Sequence, residues 1–185
     1  TDDSFNYLFV GVVPLVLLVW FGIAGKRLAA PGARTWSAAL ALALVFALGR
    51  YTPVFGLFFK YLPGFTFFRR PIDGVFVVGA CLALLSGHLL ADYVTRGRPL
   101  VARWPLTAVV AGSAALILAA LKVAALTGHT AATATQIATM LLLAAGVVVL
   151  LSRAHTTGAR ERAAVLVTVV AVFQLIFWNA ASRLK

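Results

Sequence analysis

Apolar residues gather into six blocks, Tyr7 to Gly25, Thr35 to Leu48, Val75 to Val94, Trp104 to Thr127, Ala132 to Ser152 and Ala163 to Ser182, with charges, glycines and prolines collected between them. The hydrocarbon core of a bilayer, about 30 Å thick, asks for roughly 20 consecutive apolar residues. A lone segment in hydrocarbon must satisfy its own backbone groups, so each block predicts a helix rather than a strand. The second block is the weak one. Its roughly 14 residues rise only about 21 Å, and it crosses only if it runs from Arg34 to Thr52. The pattern predicts an all-α fold, a polytopic transmembrane helix bundle of about six spans, forming a single module over residues 1–185.

Composition excludes a water-soluble fold. Of 185 residues, 62% are hydrophobic and 11% charged, where a soluble domain has about 45–50% and about 25%. The net charge of +11 would point to nucleic acid in a soluble protein. Here most basic residues flank apolar blocks, so anionic lipid is the expected partner and nucleic acid is not. Cys81 is the single cysteine and lies inside an apolar block, which leaves no disulfide or cysteine metal cluster within the chain. Thr1 stands first, followed by Asp2 and Asp3 rather than the basic stretch of a secretory signal. The expectation is a segment of a longer chain, with the upstream part as its partner.

Short basic stretches favour the cytoplasm. Lys26, Arg27 and Arg34, then Arg96, Arg98 and Arg103, then Arg153, Arg160 and Arg162 fall in three connections on one side, nine basic residues in all. Both ends of the segment and the 49–74 connection are then expected on the outer face. Trp36, Tyr93 and Trp104 would mark the inner span ends, and Tyr7, Tyr51, Tyr61 and Trp178 the outer ones, as interfacial aromatics do. Small residues at four-residue spacing, Ala39/Ala43/Ala47, Gly79/Ala83/Gly87 and Ala111/Ala115/Ala119, predict close packing of spans two, three and four.

The 49–74 connection breaks the charge rule by holding Arg50, Lys60, Arg69 and Arg70 outside. Pro53 can open a helix and Pro63-Gly64 close it, and the residues between are apolar or aromatic except Lys60, which predicts a short interfacial helix in the outer loop. Arg69 and Arg70 directly precede Pro71, a residue favoured at the first helical position, so the pair would sit at the positive end of the third span. Two guanidinium groups beside unpaired helix N–H groups suit an anion, phosphate above all, with Tyr51 in support. The same residues equally suit plain anchoring of a re-entrant loop to headgroups. Asp73, at the third helical position, reads as a cap or an Arg69 partner rather than a catalytic base.

The stretch Leu48-Gly49-Arg50-Tyr51-Thr52-Pro53, followed by Leu62-Pro63-Gly64-Phe65-Thr66-Phe67-Phe68-Arg69-Arg70-Pro71, resembles the outer loop of YfhO-like bacterial membrane proteins of the GT-C glycosyltransferase superfamily. The likeness covers about 25 residues; Tyr7 to Leu18 adds a weaker one, and the spans after Val94 match in hydropathy alone. The resemblance implies a bacterial inner (cytoplasmic) membrane protein that transfers a sugar from a polyprenyl-phosphate carrier to an outer-face acceptor, a cell-envelope glycan or lipid. It implies Arg50, Lys60, Arg69 and Arg70 as contacts to the carrier phosphate. GT-C enzymes use an acidic residue of the first outer loop as base or metal ligand. That loop would lie upstream of Thr1, so the catalytic residue, and any divalent metal of the intact enzyme, is expected outside this segment. Asp73 stands where the family often has a basic residue.

The remaining polar residues read more simply. His88 and Asp92 share one face of the third span, which fits either a proton relay or, with Arg96 one turn on, an ion pair that finishes the helix. Lys122 is within reach of headgroups, Gln174 is placed to bond across helices, and Thr133 and Thr135 can cap the fifth span. Glu161 belongs to a solvated connection, and His129 to an outer turn. No glycine-rich phosphate loop or metal-binding spacing occurs, so no cofactor is expected in the segment. Two rival functions remain: a non-catalytic membrane scaffold or assembly subunit, and a transporter of lipid-linked sugars, which usually needs paired ionisable residues near the midplane.

Overall fold

The computed structural model describes residues 11–48, 60–61, 74–99, 103–128 and 130–183. They form six helices and, among the described residues, no strand, so the chain is all-α. In chain order these are α1 (Val12–Ala24), α2 (Ala33–Ala47), α3 (Gly74–Arg96), α4 (Arg103–Thr127), α5 (Thr130–Arg153) and α6 (Thr157–Arg183). Pro14 sits in the first turn of α1, where its missing N–H costs no helical bond. From Leu18 the helix widens into a π-turn, with Gly25 N–H donating to Trp20 O at 2.9 Å and Arg27 N–H to Gly22 O at 3.0 Å. Lys26, at φ 54°, ends it in the left-handed region.

Two helices, over Val75–Arg96 and Thr133–Arg153, are long and apolar enough to cross a membrane by length and composition. The described residues therefore support two spans rather than the six anticipated from hydropathy. The helices at Val12–Ala24 and Ala33–Ala47 and the described apolar stretch Ala111–Leu126 are shorter. A 15-residue helix rises only about 22 Å. α6 spends its first two turns on Arg160, Glu161 and Arg162. The two long helices are not buried as the core helix of a soluble domain is: only 33% and 11% of their apolar windows are covered. Phe76, Leu118, Leu126, Leu142, Phe173 and Ile176 are 63–84% exposed.

The core lies where α1, α3, α5 and α6 meet, with α2 laid along α3. Val13, Leu17 and Phe21 of α1 pack with Val78, Leu82, Leu85, Leu89 and Tyr93 of α3, Val147 and Leu151 of α5, and Ala163 and Val167 of α6. The buried α3 positions recur at three and four residues, the spacing of one helix face. α2 and α3 form the most extensive pair. They run antiparallel, because Gly32 at the start of α2 touches His88 in the second half of α3.

Of the three small-residue stripes, one packs as expected. Ala43 is buried and Ala39 and Ala47 are packed against the core, on the α2 face toward α3. The α3 stripe points away: Ala83 and Gly87 are exposed, and a Cβ added at Gly79 or Gly87 would meet nothing within 4 Å. Ala111, Ala115 and Ala119 of α4 are exposed too, and α4 packs on the π-turn of α1 and on α5 instead. Small residues permit close approach, but the branched and aromatic residues of the opposite α3 face offer more contact area, and they take the interior. Tyr93 corrects a second expectation, since it is fully buried rather than an interfacial marker. α5 starts at Thr130, so Thr135 lies inside the helix, where its hydroxyl donates back to Ala131 O at 2.8 Å rather than capping.

The 49–73 connection leaves the C-terminal end of α2 and returns at Gly74, the end of the α2–α3 pair farthest from Asp92 and Arg96. Arg50, Tyr51, Arg69, Arg70 and Asp73 lie outside the described residues, as do most of the anticipated interfacial helix, and His129. Lys60 and Tyr61 are described: both are helical and exposed, and the Lys60 Nζ lies 5.3 Å from the centroid of the Tyr61 ring.

Candidate functional site

The described polar chemistry concentrates at the C-terminal end of α3, where three basic connections converge. Its foundation is the tight exit from α1. A Cβ at Gly25 would lie 2.5 Å from Phe21 O and 2.7 Å from Pro99, so only glycine lets the 25–32 connection pass this close to the residues following α3. The left-handed Lys26 then turns Arg27 inward. The Arg27 guanidinium donates through Nη1 to Asp92 Oδ2 at 2.5 Å and through Nη2 to Gly97 O at 3.1 Å. Its Cζ also stands 5.9 Å from the centroid of the Phe21 ring.

Asp92 takes a second cation from its own helix, with Arg96 Nε at 3.0 Å from Oδ1. The anticipated Asp92–Arg96 pair is present, but the stronger partner comes from 65 residues away. The Arg27 and Asp92 side chains are 16% and 15% exposed, whereas Arg96 is 70% exposed. Between the two ion pairs, the one to Arg27 is the less screened.

The other arginines finish α3. Gly97, at φ +77°, closes the helix with its N–H on Tyr93 O at 2.8 Å. Arg160 of α6 donates to Val94 O at 3.2 Å and to His155 O at 3.3 Å. Arg27 and Arg160 thereby supply donors to carbonyls that a helix end leaves unpaired, and positive charge to the negative end of its dipole. Tyr93 performs the same service for α5, its hydroxyl donating to Leu151 O at 2.8 Å while its ring meets Phe21 edge-on at 5.3 Å.

A cavity of about 290 Å³ opens beside this cluster, between the 30–32 turn and α3. Its polar lining is His88, Asp92, Thr95 and Arg96, and its floor is Ala30, Pro31, Gly32 and Ala91. The imidazole of His88 lies so close over Gly32 that a Cβ there would clash with Cε1. His88 and Asp92 do share a face, as their spacing implied. Asp92 is held by two arginines, which is the ion-pair arrangement, and no hydrogen bond joins it to His88 among the described residues. Nor do three His, Cys, Asp or Glu side chains come together among the described residues as a cation's ligands would.

At the opposite end, Gln174 of α6 bonds across helices as anticipated. Its Oε1 accepts from Val12 N–H at 3.0 Å, at a helix start with no other side-chain cap, and its Nε2 reaches Met140 Sδ at 3.5 Å. Lys122 is exposed, consistent with a side chain reaching outward. Two features escaped the sequence: the Arg27 partnership and the cavity built on Gly32. Asp92 carried the available signal, as a carboxylate embedded in an apolar block that one exposed arginine could not compensate.

Set against known proteins, the chain matches no family model, and no curated protein or solved structure matches it.

Proposed function

We propose that the chain is a polytopic module of a bacterial inner membrane and the carrier-lipid side of a GT-C-like glycosyltransferase, with the 49–74 connection holding the phosphate of a polyprenyl carrier through Arg50, Lys60, Arg69 and Arg70. The membrane part of this reading is supported by two long apolar helices that are mostly uncovered, because such surface is stable in lipid and not in water. The observation that carries the functional part is topological. Four basic residues occupy the connection that leaves and re-enters the α2–α3 pair at the end remote from Arg27, Arg96 and Arg160. With α3 spanning a bilayer, those cations face the membrane surface that the charge rule leaves to neutral or acidic segments.

The chemistry follows from charge. When a sugar leaves a polyprenyl phosphate, negative charge grows on the phosphate oxygens, and fixed guanidinium groups lower that barrier. A base elsewhere takes the proton of the acceptor hydroxyl. The test is polyprenyl-phosphate binding to the chain and to its Arg69→Ala/Arg70→Ala variant. A loss of about tenfold or more supports the reading, and unchanged affinity refutes it. Labelling of Lys60 from each face of sealed vesicles checks the sidedness.

One observation favours a second reading, a membrane scaffold whose loop grips anionic lipid without chemistry. Among the described residues the carboxylates are Asp92, held by two arginines, and Glu161, and both lie at the end away from the 49–73 connection. Carrier binding without sugar transfer in the intact protein would select this reading.

A further inference from the structure

We propose that the cavity between the 30–32 turn and the last turns of α3 is a second anion site, which binds a singly charged phosphate group. Arg96 spends only Nε on Asp92, so its two terminal nitrogens make no hydrogen bond among the described residues. They form the planar fork that receives phosphate oxygens in pairs. The ring nitrogens of His88 are likewise unbonded among the described residues, and the ring lies over Gly32.

Charge selects the kind of phosphate. The Asp92 carboxylate stands beside Arg27 and Arg96 and disfavours a second negative charge, so a phosphodiester suits the site better than a doubly charged phosphate. Size suits a headgroup, since about 290 Å³ falls just under the roughly 300–1,000 Å³ that hold drug-sized ligands. Depth agrees as well: Arg96 is the last residue of the apolar stretch Val75–Arg96, so in a bilayer its guanidinium stands at the level of lipid phosphates. The shared chemistry is a phosphate carried either by a phospholipid or free in solution. Only the lipid source leans on the membrane reading above, and none of the residues belongs to the 49–74 connection, so the two proposals fail separately.

The test titrates phosphatidylglycerol into the full chain in detergent at about pH 5.5, where inorganic phosphate is mostly singly charged, read by native mass spectrometry, with and without millimolar inorganic phosphate. Arg96→Gln removes one charge from an exposed side chain and leaves the Arg27–Asp92 pair in place. It should weaken binding about tenfold. Ala91→Leu fills the cavity with every charge kept and should weaken binding comparably. Arg162→Gln, an exposed arginine at the same end that donates to Gly158 O, should change it less than about twofold. Competition by inorganic phosphate assigns a soluble ligand, and its absence assigns the lipid. Equal losses in Arg96→Gln and Arg162→Gln, or an unaffected Ala91→Leu, would overturn the site in favour of diffuse attraction.

Discussion

Asp92 offers the sharpest test of how this fold is held together, because one carboxylate serves two arginines of very different exposure. Asp92→Asn keeps the shape and removes the charge. The Arg27 guanidinium, on a side chain 16% exposed, then stays mostly enclosed without a counter-charge, keeping Gly97 O at 3.1 Å, the face of Phe21 and a neutral amide oxygen at position 92. Breaking a fully buried pair costs about 3–5 kcal/mol. The residual exposure and the surviving bond bring the expected loss to about 2–3 kcal/mol. The Arg96 arm, 70% exposed and one turn along the same helix, is worth about 0.5 kcal/mol or less. A double-mutant cycle of Asp92→Asn with Arg27→Met should therefore return a coupling of about 2 kcal/mol, and the cycle with Arg96→Gln about a quarter of that or less. Unfolding of the full chain in mixed micelles, followed by far-UV circular dichroism, supplies the free energies. Raising salt to 0.5 M should erase the Arg96 coupling and leave most of the Arg27 coupling. Equal couplings, or equal salt sensitivity, would refute the inference that the long-range pair holds the 25–32 connection to α3.

Three further outcomes are expected in the same assay. Tyr93→Phe removes a buried hydroxyl that satisfies Leu151 O, and should cost about 1–2 kcal/mol with the helix content unchanged. Gln174→Leu strips the acceptor from Val12 N–H and should cost about 1–2 kcal/mol, with faster amide exchange confined to the first turn of α1. Gly32→Ala drives a methyl into His88 and should cost about 1–3 kcal/mol; in a His88→Ala background the same change should cost almost nothing, and persistence of the penalty there would place the clash elsewhere.

Helix type was legible along most of the chain because apolar runs without turn residues admit little else, and the ends of α3 and α5 fall close to where hydropathy stops. The Asp92–Arg96 pair and the cross-helix role of Gln174 were readable too, since each follows from spacing or from a polar group with nowhere else to bond. Span number was not. Among the described residues, the apolar helices Val12–Ala24 and Ala33–Ala47 are shorter than the two long ones, and length is what a bilayer measures. The small-residue stripes misled because a stripe reports only what could approach, while Leu85, Leu89 and Tyr93, on the other side of α3, decide what does. Arg27 was unreadable as a partner of Asp92, because nothing within a helical turn of either residue announces a contact across 65 positions.

The convergence of basic connections also changes what their charge means. Nine cations in three connections read as an orientation signal, yet two of them, Arg27 and Arg160, turn inward to close the end of α3. In lipid, apolar side chains gain little by leaving one apolar surrounding for another, so polar contacts and shape carry a larger share of helix placement than they do in water. Polar contacts that join separate helices or connections include Arg27 to Asp92 and Gly97, Arg160 to Val94, Tyr93 to Leu151, and Gln174 to Val12 and Met140. All but those of Gln174 meet at the last turns of α3. That end is a fixed point from which the helices extend, so the cavity beside it inherits a rigid wall on the α3 side. A phosphate drawn to Arg96 would lie against a helix end that the fold has already fixed for its own support.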